Sequence, residues 1–134
     1  MTERKPAFTP IAPAGVAPPV PPYTHVVVSG DLVAISGQMP IDAEGRFLSA
    51  ESFEAQAHQT FRNMKLCLEA AGCTFADVFK VNGYLTDLAN IDVYNAVFKT
   101  YFEAPYPART TVGAALIGGT TLVEVDALAR RPAS

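Results

Sequence analysis

The stretch Pro105–Ala129, PYPARTTVGAALIGGTTLVEVDALA, contains two segments with the alternating residue types of β-strands. The first segment carries a single arginine, Arg109, and the second, beyond Gly118-Gly119, carries Glu124. Successive side chains of a strand point to opposite faces. Each segment is therefore expected to have one face of uncharged residues and to carry its charged residue on the other face. The uncharged faces are Thr110, Val112, Ala114 and Leu116 in the first segment, and Val123, Val125, Ala127 and Ala129 in the second.

Arg109 and Glu124 are candidates for a binding or catalytic site. A guanidinium binds a carboxylate through two parallel hydrogen bonds, and a neighbouring glutamate can orient or deprotonate a water molecule. The alternative is a solvated surface arginine and an edge-strand glutamate, because exposed charges of this kind are common.

The composition indicates one globular domain without a nucleic-acid or membrane function. The chain has 134 residues, 49% of them hydrophobic and 17% charged, which is sufficient for one hydrophobic core. A net charge of −3 supplies no basic stripe for a phosphate backbone, and no apolar run reaches the length of a membrane helix. The N-terminal residues lack the apolar stretch of a signal peptide, so a cytoplasmic protein is expected.

The cysteines and histidines predict neither a metal nor a cofactor. Cys67 and Cys73 are the only cysteines and form no C-x-x-C pair, so both are expected to be reduced and partly buried. His25 and His58 are the only histidines, and two isolated histidines do not make a zinc site.

Residues 1–22 contain seven of the eleven prolines and are expected to form an extended arm before a single domain at residues 23–134. Proline has no backbone N–H, so regular sheet pairing is not expected in this arm. A proline-rich ligand for another protein is the alternative role. After the arm, Tyr23–Ser29 and Leu32–Ser36 predict a β-hairpin, and Gly37–Asp42 predicts a short strand or bend.

The central part of the chain predicts two helices separated by a strand at Val78–Thr86. Apolar residues from Ala57 to Ala71 recur at helical spacing, with Ser49 or Ser52 as the N-cap and Gly72 as the end. A second helix is predicted at Ile91–Phe102 with Asn90 as its cap.

This order of elements supplies helices for only one face of a five- or six-stranded sheet. An oligomer is therefore expected to bury the other face. The residues expected on that face are Arg109, Thr111, Leu122, Glu124 and Leu128.

The segments PARTTV and LVEVDALA together resemble the RidA/YjgF family of reactive-intermediate deaminases. Residues 23–42, YTHVVVSGDLVAISGQMPID, are similar to the family's opening, and Asn95-Ala96-Val97-Phe98 is similar to its Asn-x-x-aromatic pattern. The resemblance covers about residues 20–131. The chain departs from the pattern at Thr110-Thr111, where the deaminating branch most often has Ser-Cys, which leaves the substrate range open.

The resemblance implies an α+β, chorismate-mutase-like fold, a mixed sheet of five to six strands with two helices on one face. It also implies that the Glu124 strand enters the interior of the sheet instead of forming a hairpin with the Arg109 strand. A homotrimer with sites between subunits is implied as well.

The implied activity is the hydrolysis of reactive enamines and imines, such as 2-aminoacrylate and its imine tautomer, to 2-keto acids and ammonia. The resemblance makes Arg109 and Glu124 catalytic. The implied substrate-binding residues are Tyr23, Ser36, Gly37, Asn95, Arg109 and Thr111. By residue type alone, Tyr23 can instead be a surface aromatic, Ser36-Gly37 a bulged strand end, and Asn95 a polar helix residue.

Two other functions would use the same residues. A protein that senses 2-keto acids with little turnover would need the same arginine. An endoribonuclease or translation inhibitor, also attributed to this family, agrees less well with the acidic net charge.

Overall fold

A six-stranded mixed sheet with two α-helices forms the body of the protein in a computed structural model that describes residues 4–133. The first three residues of the expected arm, and Ser134, lie outside the described residues. The strands are β1 (Thr9–Ile11), β2 (Val26–Ser29), β3 (Leu32–Gln38), β4 (Val78–Leu85), β5 (Ala108–Gly113) and β6 (Val123–Arg130). The helices are α1 (Phe53–Ala70) and α2 (Ile91–Tyr101), and short 3-10 turns at Phe75–Asp77 and Leu88–Asn90 precede β4 and α2. The predicted α+β class is confirmed.

The strand order is β1-β2-β3-β6-β4-β5. Strand β6 is antiparallel to both β3 and β4, so the last strand of the chain lies inside the sheet. Strand β5 pairs in parallel with β4 at the sheet edge, and α2 forms the crossover that a parallel pair requires. Because β5 and β6 are not neighbours, the expectation that Gly118-Gly119 closes no hairpin is confirmed.

The hydrophobic core lies between the two helices and one face of the sheet. The apolar residues of β6 alternate as predicted, with Val123, Val125, Ala127 and Ala129 all buried. Helix α1 packs its apolar stripe against this face, and the fully buried Phe61 and Met64 lie at the centre of that stripe. Burial of this face is the main source of stability, because the opposite face carries polar and half-exposed residues.

The helix ends agree in part with the expected caps. The Ser52 hydroxyl accepts a hydrogen bond from the Ala55 N–H at 3.2 Å. Gly72, just beyond the end of α1, has a φ of +76°, which suits a glycine at a helix end. Asn90 occupies the N-cap position of α2 as expected, but its side chain makes no capping hydrogen bond. Asp87 caps the preceding 3-10 turn instead, since its carboxylate accepts the Ala89 N–H at 2.9 Å.

The proline-rich arm takes part in the sheet, which corrects the expectation that it would not pair. Residues Thr9–Ile11 form β1 and pair antiparallel with Val26–Val28. Pro10 is tolerated there because β1 is an edge strand, where one row of N–H groups has no neighbour. The arm is held further along by a hydrogen bond of 2.8 Å between the His25 Nε2 and the Ala17 carbonyl.

The end of β3 contains an irregularity that matches the predicted bend. Its pairing with β6 shifts between Ile35 and Gln38, and an isolated bridge between Ile41 and Phe47 follows. This shift lies at Ser36-Gly37, two of the candidate site residues.

The assignment of faces on β5 was wrong. Arg109 is in register with the buried Val81, and Thr111 with Gly83, so both lie on the helix-covered face. Strand β5 is exposed along most of its length, so its residue types do not distinguish the two faces. Leu122 also differs from expectation, because it packs against the core. Of the residues expected on the uncovered face, Glu124 and Leu128 lie there.

Candidate active site

Arg109 is held in one direction by residues of α2. Its Nη2 donates a hydrogen bond of 2.7 Å to Asn95 Oδ1. The guanidinium carbon lies 5.4 Å from the ring centroid of Tyr94 and 5.1 Å from that of Phe98. Within the described part of the chain, these cation–π contacts and one hydrogen bond to the Asn95 amide oxygen leave most of the guanidinium's donors free for a ligand.

An open cavity of about 350 Å³ surrounds this guanidinium. Besides Arg109, Asn95 and Phe98, it is lined by Lys99, Tyr106 and Pro107. Two cationic side chains beside aromatic rings form a suitable environment for a small planar carboxylate. Lys99 and Tyr106 were not predicted from the sequence.

Glu124 lies on the uncovered face of the sheet, against the backbone of Gly37. A Cβ added to Gly37 would lie 2.8 Å from Glu124 Cδ and would overlap its Oε2. Glycine at this position therefore lets the carboxylate approach the irregular end of β3 closely. Across the sheet, Glu124 is in register with Tyr84 of β4.

Tyr23, Ser36 and Gly37 line one shallow cavity of about 580 Å³, together with Asp126. The Ser36 hydroxyl donates a hydrogen bond of 2.6 Å to the Thr24 carbonyl, so its proton is not available to a ligand while this bond is formed. Tyr23 packs edge-on against His25 with the ring centroids 5.5 Å apart. The structure thus brings together four of the seven candidate residues: Tyr23, Ser36, Gly37 and Glu124.

The environment of Glu124 disfavours its charged form. Burial, and secondarily the negative charge of Asp126, raise the pKa of the Glu124 carboxyl. Asp126 itself is held by two donors, Asn82 Nδ2 at 2.9 Å and the Tyr84 hydroxyl at 2.8 Å. That hydrogen bond to Asp126, with burial, raises the pKa of Tyr84.

Asp126, Asn82 and Tyr84 form a polar cluster beside Glu124 that the sequence did not identify as functional. The sequence did contain one sign of this cluster: its residues lie on the polar sides of the alternating segments that form β4 and β6. Recognising the cluster required the pairing of β4 with β6.

Arg109 and Glu124 lie on opposite faces of the same sheet. Arg109 projects towards α2, whereas Glu124 projects from the face that no helix covers. Thr111 lies on the Arg109 side, and its buried hydroxyl has no hydrogen-bond partner among the described residues. One copy of the chain therefore contains two half-sites: an arginine half-site (Asn95, Arg109 and neighbouring Thr111) and a glutamate half-site (Tyr23, Ser36, Gly37 and Glu124).

The two cysteines belong to neither half-site. Cys67 and Cys73 are buried free thiols, as expected, and burial raises the pKa of Cys67 to about 12, which suppresses its thiolate. Among the described residues, no three His, Cys, Asp or Glu side chains cluster as metal ligands. Within residues 4–133, neither helix combines the length and the apolar character needed to cross a bilayer.

Comparison with known proteins identifies the family. The family model described as "Endoribonuclease L-PSP" matches residues 14–131. A protein of Dermatophagoides farinae named 2-iminobutanoate/2-iminopropanoate deaminase is 33% identical over 128 residues, covering 96% of this chain and 97% of that protein. The chain belongs to the RidA/YjgF family.

Solved structures of RidA/YjgF members support the fold as well. RidA from the Antarctic bacterium Psychrobacter sp. PAMC 21119 is 37% identical with a TM-score of 0.85, covering 91% of this chain and 98% of that one. E. coli TdcF, solved with bound serine, is 29% identical with a TM-score of 0.85, covering 92% and 99%. The chorismate-mutase-like fold implied by the sequence resemblance is therefore confirmed.

Proposed function

We propose that this RidA-family protein hydrolyses reactive 2-imino acids, and their enamine tautomers, to 2-keto acids and ammonia. The observation that carries the proposal is the pair of half-sites, one suited to a carboxylate and one to an activated water. Deaminase-named relatives at about 33% identity support the same activity. The serine bound to E. coli TdcF supports recognition of a small carboxylate by this fold.

The two half-sites must come from different copies of the chain to act on one substrate. The sheet separates Arg109 from Glu124 within one copy, whereas a neighbour packed on the uncovered face could bring its arginine half-site to Glu124. A closed symmetric oligomer provides such a contact at every interface. We propose the homotrimer implied by the family resemblance, with one composite site at each subunit boundary.

In the proposed reaction, Arg109 binds the substrate carboxylate through two parallel hydrogen bonds. Glu124 accepts a proton from water as the water oxygen bonds to the imine carbon and the C=N bond becomes single. The nitrogen is then protonated, the C–N bond breaks, and ammonia leaves as the carbonyl forms. Asn95 orients the guanidinium, while Tyr23 and the backbone at Gly37 border the reacting atoms.

The test is to generate 2-iminopropanoate with a serine dehydratase and follow its decay with and without the purified protein. Faster decay is expected, and Glu124→Gln should reduce the acceleration by about 10²-fold, the usual size of a general-base contribution. An unchanged decay rate combined with measurable 2-keto acid binding would contradict catalysis and identify a binding protein instead. The endoribonuclease function named in the family description is not proposed, because the net charge is −3.

A further inference from the structure

A further cavity of about 390 Å³ begins at the glutamate half-site and extends under the proline-rich arm. It shares Tyr23 and Gly37 with the shallow cavity described above. Its apolar lining comes from the arm, from the segment after β3 and from the segment between β5 and β6. The main apolar side chains are those of Val16, Pro18, Val20, Met39, Phe47 and Ile117.

Three polar side chains of this cavity, those of His25, Gln38 and Asn63, already have hydrogen-bond partners in the fold. His25 bonds to the Ala17 carbonyl at 2.8 Å through Nε2, and Gln38 Nε2 lies 3.2 Å from His25 Nδ1. Asn63 Nδ2 donates to the Met39 and Ile41 carbonyls at 3.2 and 2.9 Å. Among the residues that the structure describes, no Asp, Glu, Lys or Arg side chain lines the cavity. The cavity therefore offers an apolar surface to a ligand, and a charged ligand group placed there would find no ion-pair partner.

We propose that this cavity receives the side chain of the 2-imino acid and selects substrates with larger apolar side chains, branched or aromatic. This inference rests on the proposed deaminase function, and it names the substrate class. A substrate whose imine carbon faces Glu124 lies beside Gly37, where the cavity begins. Its carboxylate is bound by the partner's arginine half-site, which leaves the side chain as the group directed to the apolar cavity.

The size of the cavity sets the expected preference. The methyl group of 2-iminopropanoate would leave most of 390 Å³ unfilled, whereas a leucine or phenylalanine side chain would contact the apolar walls. One methylene in an apolar pocket changes kcat/KM by roughly 10- to 200-fold at most. We therefore expect the leucine-derived imine to be preferred over the alanine-derived imine by about 10-fold or more.

Ile117 provides the means of testing this, because it lines the cavity but is 76% exposed and so tolerates substitution. Imines are generated in situ from alanine, leucine and phenylalanine by an amino-acid oxidase, and their hydrolysis is measured in competition with semicarbazide. Ile117→Trp should narrow the cavity and lower kcat/KM for the leucine and phenylalanine imines about 10-fold, with little change for the alanine imine. Lys65→Trp adds the same ring at an exposed position of α1, on the helix side of the sheet and outside the cavity, and should leave all three rates unchanged.

The outcomes separate the side-chain pocket from the activity itself. Equal rates for the three imines, with an unchanged ratio in Ile117→Trp, would overturn the pocket while leaving the deaminase function intact. That result is also expected if a neighbouring subunit fills the cavity. Failure to accelerate the decay of any imine would overturn the proposed function and the pocket together.

Discussion

The contacts of Arg109 are weak enough that a role in ligand binding can be distinguished from a role in stability. The side chain is exposed, and among residues 4–133 it makes two cation–π contacts and one hydrogen bond, to Asn95. Exposed cation–π contacts contribute about 0.5–1 kcal/mol, so removing the guanidinium should change the melting temperature little. A functional arginine should therefore affect activity far more than stability.

We predict that Arg109→Lys lowers kcat/KM by about 10²-fold, because the charge remains but the two-point hydrogen bonding to a carboxylate is lost. Arg109→Ala should reduce activity further and abolish 2-keto acid binding. Steady-state kinetics, isothermal titration with pyruvate and thermal melting check these outcomes. Lys99→Ala is the matched control, since it removes the other cation of the cavity, and it should have the smaller effect. Normal turnover in Arg109→Ala would contradict the proposed function.

Burial, and after it the charge of Asp126, should set the pH at which Glu124 becomes an effective base. The negative charge of Asp126 adds to burial in raising the pKa of Glu124, and the base must be ionised to accept a proton. Activity should therefore fall as the pH is lowered through that pKa. Asp126→Asn removes the charge while its amide oxygen can still accept from Tyr84 or Asn82, so the acidic limb of the kcat/KM profile should move to lower pH. An unmoved acidic limb would show that another group titrates there.

At the scale of elements, the end of β3 brings the backbone close to the Glu124 carboxylate. An added Cβ at Gly37 meets only atoms of the flexible Glu124 side chain among its nearest neighbours, so the carboxylate can move while the sheet remains intact. We predict that Gly37→Ala lowers activity by about 10²-fold, comparable to losing the base, and costs less than the roughly 1–3 kcal/mol typical of overpacking.

Gly113→Ala is a suitable control for this prediction. It also adds a methyl group to a strand glycine, but the nearest atoms belong to the Leu88 side chain at 3.3 and 3.4 Å. Kinetics and urea unfolding of both variants would show whether the effect is specific to Gly37. A Gly37→Ala protein with full activity would place Glu124 outside the reaction.

The elements themselves were predicted well where burial differs between the two sides of a segment. The alternation of Val123, Val125 and Ala127 in β6 was read correctly because one face is buried and the other is not. On β5 the same rule failed for Arg109, because an edge strand with little burial gives its two faces similar residue types. Only the register of Arg109 with Val81 determines its face, and register depends on pairing between distant segments.

At the scale of the whole molecule, the resemblance implied sites between subunits, but the sequence did not show that Arg109 and Glu124 lie on opposite faces of the sheet. Family resemblance placed Arg109 and Glu124 in one site, and a single copy of the chain holds them on opposite faces. The partly exposed Leu128, 41% accessible, adds apolar surface to the face that carries Glu124. These features favour assembly, and light scattering is expected to give three times the 14.3 kDa chain mass, in line with the proposed trimer.

A mixing experiment tests whether one site draws on two copies of the chain. Arg109→Ala and Glu124→Gln should each be nearly inactive alone, and each retains the half-site that the other lacks. When equal amounts are unfolded together and refolded, a boundary regains both half-sites if an intact arginine meets an intact glutamate. For random assembly in a closed ring this occurs at about one quarter of boundaries, so about one quarter of the parent activity should return.

The same two variants refolded separately and then combined are the control, and they should stay inactive until their subunits exchange. Size-exclusion chromatography with light scattering should show the same assembly for the parent, each variant and the mixture. If both residues acted within one copy, every chain in the mixture would still lack one of them, and co-refolding would restore nothing. Recovery of activity therefore requires that Arg109 of one subunit and Glu124 of another act on the same substrate, whereas its absence from an intact mixed oligomer would contradict the composite site.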